Sequence, residues 1–432
     1  MNKKSEHIPE NQSTEDLDRS ESLQDHLVPS FLIIKSHDEF LKHVAIGQNI
    51  SGNNNIKICD IGYPNSNIIF KYKMGYDFLV YLEKEKIEVF NFSSCSFNYP
   101  FAVNENFYFS TESRSERRKT VFDYFKKVRL IFGLCEFKFG INLNNFSYNQ
   151  KIRFWKCKFH RLHVYNATFN KLFELVESEV YSNAFFNKVE FNANCVFTKT
   201  RFHKNCIFTY STFEKQGIFS RAIFRDKNNL PTGLDLSQSI VNGQLTFFET
   251  DLGNYEAKRI DSNSTEYDDA ISDGLKIPIQ NKRETFRIIK HQLLQQNNVI
   301  EAEKYDKLEK QTLLEEKDLE AIFEDNVLKT FKILFTDYFV LKLNKYSNNH
   351  KTSWLYALIF TLVVSFISHS ILSISESNDF CDGLKFIKLL NPIDFSFYSD
   401  AYSGKIYTVY FVAKIFIGFG IYQLIQAFRK YR

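Results

Sequence analysis

Residues 184–224 read AFFNKVEFNANCVFTKTRFHKNCIFTYSTFEKQGIFSRAIF. Phe186/Phe191, Phe197/Phe202, Phe208/Phe213 and Phe219/Phe224 form four pairs, each five residues wide, and successive pairs start 11 residues apart. A globular core has no reason to hold so regular a spacing. A short fixed period marks stacked units, each burying one face against the next.

The register extends both ways. Backwards it meets Leu175/Val180, Val164/Phe169, Phe154/Phe159, Leu143/Tyr148 and Phe132/Phe137. Forwards, past an insertion at Asp226 to Gly233, it meets Leu236/Val241 and Phe247/Leu252. Two residues before each of these 22 positions lies a second selected site, never charged and often small, as at Cys135, Cys157, Ala167, Ala184, Cys195, Cys206 and Ala222. Apolar residues two apart point to one side of an extended segment. Asn, Ser, Gly and Lys fill the gaps and suit turns. The chain is expected to wind through short faces, each with two inward side chains.

At Ala167-Thr168-Phe169, Cys195-Val196-Phe197, Cys206-Ile207-Phe208 and Ala222-Ile223-Phe224 the sequence resembles the pentapeptide-repeat family. Its unit places a small residue inward and Leu or Phe two residues later. The resemblance implies a mainly β fold, a right-handed quadrilateral β-helix over 90–252, with about 22 residues per coil here. Phe90/Phe92, Cys95/Phe97 and Phe101/Val103 add one more coil before a polar insertion at Thr111 to Thr120. Phe146, Leu162 and Phe173 are large where small is usual, and those coils are expected to bulge. A stack needs capped ends. Phe31 to Ile50, within a cap region 27–89, is expected to close the first, and the polar residues 1–26 read as a disordered tail without a signal peptide.

Net charge is only +4 over 432 residues, but Lys126 to Lys227 hold 18 Lys/Arg against 7 Asp/Glu, a balance of +11. Lys156, Arg161, Lys171, Lys188, Lys199, Lys204, Lys215 and Arg221 each fall two residues after an inward residue, at outer turns. They form either a basic face for anionic lipid, nucleic acid or an acidic protein, or a solvated surface that keeps an apolar rod soluble. Four of the seven cysteines (Cys135, Cys157, Cys195, Cys206) sit at inward small positions, which reads as reduced thiols in a cytosolic domain.

Beyond the repeat, 253–281 reads as a linker. Arg283 to Gln296 and Val299 to about Phe323 carry helical spacing and form a hairpin within 282–343. The pair resembles one tetratricopeptide unit, with a plain spacer as the simpler reading. Val327 to Leu343 reads as an interfacial helix. In the membrane domain 344–432, Trp354 to Ile374 has no acid, Lys or Arg and spans about 31 Å, enough for a hydrocarbon core. Ile406 to Phe428 is the second span. Lys342, Lys345 and Lys351 precede the pair and Arg429, Lys430 and Arg432 follow it, which places both termini and the repeat in the cytoplasm. This C-terminal arrangement resembles membrane-anchored pentapeptide-repeat proteins of bacteria, implying an inner-membrane location.

Lys414, Gly418, Tyr422 and Gln426 are four apart on the second span, a stripe suited to a pore or protomer interface, or to a lysine that snorkels. Gly418 and Gly420 would allow close helix approach. Cys157, His160 and His163 have metal-like spacing but alternate between inside and outside in the repeat register. Phosphate-loop, HExxH and nucleophile-elbow motifs are absent, which points away from an enzyme and implies no cofactor. The positive balance of the rod argues against DNA mimicry and nucleic-acid binding is not expected. The leading expectation is a cytoplasmic scaffold or binding protein held at the bilayer and meeting a protein partner. The alternative is an oligomeric pore or membrane-perturbing effector.

Overall fold

The computed structural model describes residues 31–51, 54–62, 67–102, 116–273, 275–323, 338–376, 383–393 and 404–429. The tail 1–26, Val103 and most of the expected interfacial helix lie outside them. Most described strands run parallel, in three sheets, none closed on itself. The first runs from Phe31–Ile34 to Ile223–Phe224, the second from Ala45–Ser51 to Gln244–Thr246, and the third from Phe101–Ala102 to Leu234–Asp235, with Ser147–Tyr148, Thr212–Phe213 and Ile240–Val241 beside it. Through the regular middle of the stack each strand meets the strand 21 or 22 residues later, as Ile152 meets Phe173 and Leu162 meets Ala184, while insertions lengthen the step at both ends, as where Val89 meets Arg129 and Cys206 meets Leu234. The antiparallel pair is Ala45–Ser51 with Asn54–Ile61, in the first-end cap.

The inward ladder is as the spacing predicts. Every traced position is buried except Ser239 and Val241, which are half-buried. Phe rings on successive strands stack nearly parallel: Phe92–Phe132 at 4.9 Å, Phe132–Phe154 at 5.0 Å, Phe186–Phe208 at 4.7 Å and Phe197–Phe219 at 4.9 Å. That spacing matches the ~4.8 Å between paired strands, so backbone pairing and ring stacking reinforce one another. Each buried ring contributes about 1.5–3 kcal/mol through area alone.

The expected bulges are not seen. Phe173 pairs in register with Ile152 and Cys195. Size is exchanged within the pair instead: Phe173 precedes Leu175, and Leu162 precedes Val164, so the smaller residue takes the position that usually holds Phe. Phe146 and Tyr148 are both large, and Phe125 from outside the repeat packs on them at 5.8 and 6.1 Å.

Ten helices are defined among the described residues: α1 (His37–His43), α2 (Tyr76–Lys84), α3 (Glu116–Phe125), α4 (Thr265–Asp273), α5 (Ile279–Gln295), α6 (Val299–Phe323), α7 (Phe339–Asn348), α8 (Trp354–Glu376), α9 (Gly383–Leu390) and α10 (Gly404–Arg429). The cap at the first end is strand, α1 and hairpin. Ser36 caps α1 by accepting the Glu39 N–H at 3.2 Å.

The α5–α6 hairpin is present, but α5 is no spacer. It lies across the other end of the sheets. Phe286, Ile289 and Leu293 join the same core as the Phe ladder. The Thr285 hydroxyl oxygen accepts the Leu236 N–H and the Gln292 carbonyl oxygen accepts the Leu245 N–H, both at 2.9 Å, while the Gln296 amide donates to the Leu245 carbonyl at 2.6 Å. Side chains here take the place of the backbone that another strand would supply, which matters because a buried unpaired N–H costs about 1–3 kcal/mol. The expected linker also packs in part: Tyr255 is buried, its hydroxyl donating to Leu234 O at 2.6 Å.

α8 and α10 are long and apolar enough to span a membrane, over Trp354–Ile374 and Tyr407–Arg429, with mean hydropathy 2.1 and 1.6. They pack antiparallel, Trp354 against Phe428 and Phe360 against Phe419.

Candidate interaction surfaces and polar clamps

The bends that follow inward pairs, between strands or within the longer ones, come in two kinds. Leu134, Asn145, Lys156, Asn166, Glu177, Lys188, Lys199, Tyr210, Arg221 and Glu249 all have φ between 49° and 57°, although none is glycine. A left-handed L-residue costs about 1–2 kcal/mol. Arg161, Lys171, Lys204 and Lys215 turn without it. The eight basic residues are therefore not equivalent.

Nor do they share one face. Lys156, Lys199 and Arg221 lie between the second and first sheets, Arg161 and Lys204 between the first and third, Lys188 inside the strand Ala184–Phe191, and Lys171 and Lys215 before the return to the second sheet. Acids interleave in the first of these columns. Glu177 pairs with Lys199 at 2.9 Å and Lys156 at 3.6 Å, and Glu249 with Arg221 at 2.7 Å. The hydrogen bond from Lys199 helps hold the Glu177 carboxyl below its usual range. Trp155 and Phe248 lie under Lys156 and Arg221 at 4.6 and 5.8 Å. The column is thus mixed in sign and partly aromatic.

The first sheet carries an outer column that sequence reading missed. The residue after each inward side chain is Lys35, Lys71, Asn98, Lys138, His160, Tyr181, His203 and Arg225 in strand order. The signal was present in the register, but attention to the second residue after each inward position passed over the first. His160 meets Glu136 at 3.0 Å, His203 meets Glu179 at 3.1 Å, and Tyr181 stacks on His203 at 4.9 Å. The Cys157 thiol donates to Phe132 O inside the stack at 3.3 Å, so Cys157 and His160 point apart. A shallow cleft of about 620 Å³ opens at the lysine end of this column. A wider groove of about 920 Å³ follows the insertion at Asp226 to Gly233.

In the apolar helices the four stripe residues have different surroundings. Lys414 is buried and donates to three carbonyls at the end of α9: Lys388 O and Leu389 O at 3.1 Å and Asn391 O at 2.6 Å. A helix C-terminus carries partial negative charge and unpaired carbonyls, which suits an ammonium. Gly418 has open space where a side chain would be, whereas a Cβ on Gly420 would lie 2.3 Å from Thr361 Oγ1. Close approach therefore falls at Gly420, against Thr361 and Phe360 of α8, and the small residues Ala357, Ser365 and Ser368 of the same helix are also buried. Tyr422 points outward, its hydroxyl accepting from the Gln426 amide at 2.7 Å.

Where α7 meets α8, Asn349, His350 and Lys351 all have positive φ. The first two close α7, Asn349 N bonding Lys345 O and His350 N bonding Asn344 O, both at 3.1 Å. Asn348 donates to the Gln423 carbonyl oxygen, and the Gln423 amide donates to Asn344 Oδ1 at 3.0 Å, tying α7 to α10. His350 is buried with neither ring nitrogen hydrogen-bonded. Burial, then the charges of Lys310, Lys307 and Lys345, push its imidazole down to about 4, against a weaker upward pull from Asp306.

No protein-family model matches the chain, and no curated protein and no solved structure matches it either.

Proposed function

We propose that the chain is a membrane-anchored binding protein without enzymatic activity. In this reading the parallel stack is a right-handed quadrilateral β-helix of the pentapeptide-repeat kind, on the cytoplasmic side of the inner membrane, with both termini cytoplasmic. α8 and α10 hold it to the bilayer, and the turn columns meet a protein partner.

The observation that supports this most is how the two apolar helices divide their surfaces. Leu355, Ile359, Leu362, Phe366, Ile415 and Ile425 are exposed, while Lys414 and Gln423 are engaged inward. Exposed apolar faces of this length suit lipid tails. The test is carbonate washing with protease treatment of spheroplasts and inverted vesicles. The expected result is a chain retained in the membrane, digested only from the inverted side. Release by carbonate, or digestion of the stack in intact spheroplasts, overturns the anchoring. For the partner, photo-cross-linkers placed at Arg161 and Tyr210 are expected to give discrete heteromeric adducts, and their absence at both positions overturns the binding role.

A second reading is an oligomeric pore. It is favoured by Tyr422 and Gln426, which form a hydrogen-bonded polar pair on the outward side of α10. It requires α10 to meet a second copy along that side. Conductance in reconstituted bilayers that disappears in the Tyr422→Leu/Gln426→Leu double variant would favour this reading over a passive anchor.

A further inference from the structure

The cleft on the first sheet combines three features. Its lining is Lys35, Lys71, Asn98, Tyr99, Lys138 and Phe139: three cations, one amide, two aromatic rings and no acid. The cations are set by the ladder. Lys71 N bonds Ile34 O at 2.8 Å, Asn98 N bonds Phe70 O at 3.1 Å, and Lys138 N bonds Phe97 O at 3.2 Å. Lys35, Lys71, Asn98 and Lys138 therefore stand on four successive strands, about 4.8 Å apart per step. The backbone fixes this spacing, so charge repulsion among the lysines cannot be relieved by moving the strands.

Carboxylates close in sequence are otherwise engaged. Glu39 accepts the Lys35 backbone N–H at 2.6 Å. Glu136 holds His160 at 3.0 Å and Ser96 at 3.4 Å. Among the described residues none of the three ammonium groups has an ion pair. The remaining lining groups suit a planar partner. Tyr99 and Phe139 are 49% and 61% exposed, and neither stacks on another ring among the described residues. The Asn98 carbonyl oxygen is buried and accepts no hydrogen bond. Lysines are phosphate-binding point charges. Aromatic rings beside a basic groove give a base a face to stack on.

We propose that this cleft binds a nucleotide bearing two or more phosphates, with the phosphates along Lys35, Lys71 and Lys138 and the base against Tyr99 and Phe139. This goes beyond the anchoring reading and rests on the stack alone, so failure of either leaves the other standing.

The test uses the full chain in detergent micelles, titrated by calorimetry with ADP, ATP and inorganic pyrophosphate at low and high salt. Saturable ADP and ATP binding is expected, tighter than pyrophosphate by about tenfold or more, and weakened by salt. Lys71→Ala and Lys138→Ala should each weaken ADP about tenfold. The Tyr99→Ala/Phe139→Ala double variant should bind ADP no better than pyrophosphate. Unchanged thermal unfolding shows that each variant is folded; Lys138→Gln, which keeps the stem, serves if an alanine variant is not. Absence of saturable nucleotide binding overturns the proposal. So does pyrophosphate binding as tight as ADP, which would mark a bare polyanion site, or affinity unmoved in the folded lysine variants.

Discussion

The stack and the two apolar helices solve opposite problems with similar residues. In the stack, phenylalanine is mostly directed inward onto a ladder of parallel strands, and the outside is polar with scattered aromatic side chains. In α8 and α10 the large apolar residues face outward, and the pair is joined by small residues and a few buried polar contacts. The stack draws stability from the sum of many near-identical layers. The helix pair depends on a handful of distinct contacts: Gly420 on Thr361, Lys414 on the α9 carbonyls, and Gln423 on α7. A fault in one layer has neighbours to absorb it, whereas a fault in one clamp has none.

The sharpest way to break the comparison is to remove one layer. Phe197→Ala deletes a fully buried ring stacked on Phe219, and a loss of about 3–5 kcal/mol is expected. Denaturant unfolding of the stack should show it while the accessibility of α8 and α10 to membrane-restricted labelling stays unchanged. Gln292→Leu tests the junction of stack and α5. It leaves the Leu245 N–H without its acceptor, and a loss of about 1–3 kcal/mol is expected, visible as faster hydrogen exchange at the last strands.

At the junction of α7 and α8 the expected effect is one of pH. The His350 imidazole titrates near 4 when folded and near 6.5 when exposed. Between these values the unfolded form binds more protons, so stability rises with pH. The α7–α8 junction should keep its full stability above about pH 6.5 and lose it progressively as pH falls towards 4. Limited proteolysis across that window should show the loss, and His350→Gln should flatten it. The smallest effect is at the turns. Tyr210→Gly relieves a left-handed residue at the cost of a more flexible unfolded chain, so the net gain is expected to be about 1 kcal/mol or less.

Much of the stack was legible because its rule is local. Two positions in every five or six residues suffice, and Phe186/Phe191 states it within six letters. What governs the ends was not legible. Thr285 and Gln292 look like ordinary polar residues on an amphipathic helix, and their meaning depends on strand edges 47 and 49 residues away. The turns hid a different fact: Lys156 and Arg161 occupy the same repeat position, yet only Lys156 is left-handed. Lys414 was singled out as a lysine within an apolar span, suited to a pore, a protomer interface or snorkelling, but its acceptors belong to the end of another helix, α9, which the helix pattern of α10 does not describe. The lysine cleft was missed because Lys35, Lys71 and Asn98 precede the regular repeat, while Lys138 is the first residue after an inward position and not the second.

Six thiols stand at intervals through the stack and its first cap: Cys59, Cys95, Cys135, Cys157, Cys195 and Cys206, all buried and unpaired with one another. Burial raises the Cys135, Cys157 and Cys206 thiols well above their usual range. Thiolate is the reactive form, so these three are doubly protected, and burial alone keeps reagents from all six while their layers are closed. The chain therefore carries its own graduated gauge. The order in which these cysteines accept a maleimide would record, layer by layer, from which end the stack begins to open.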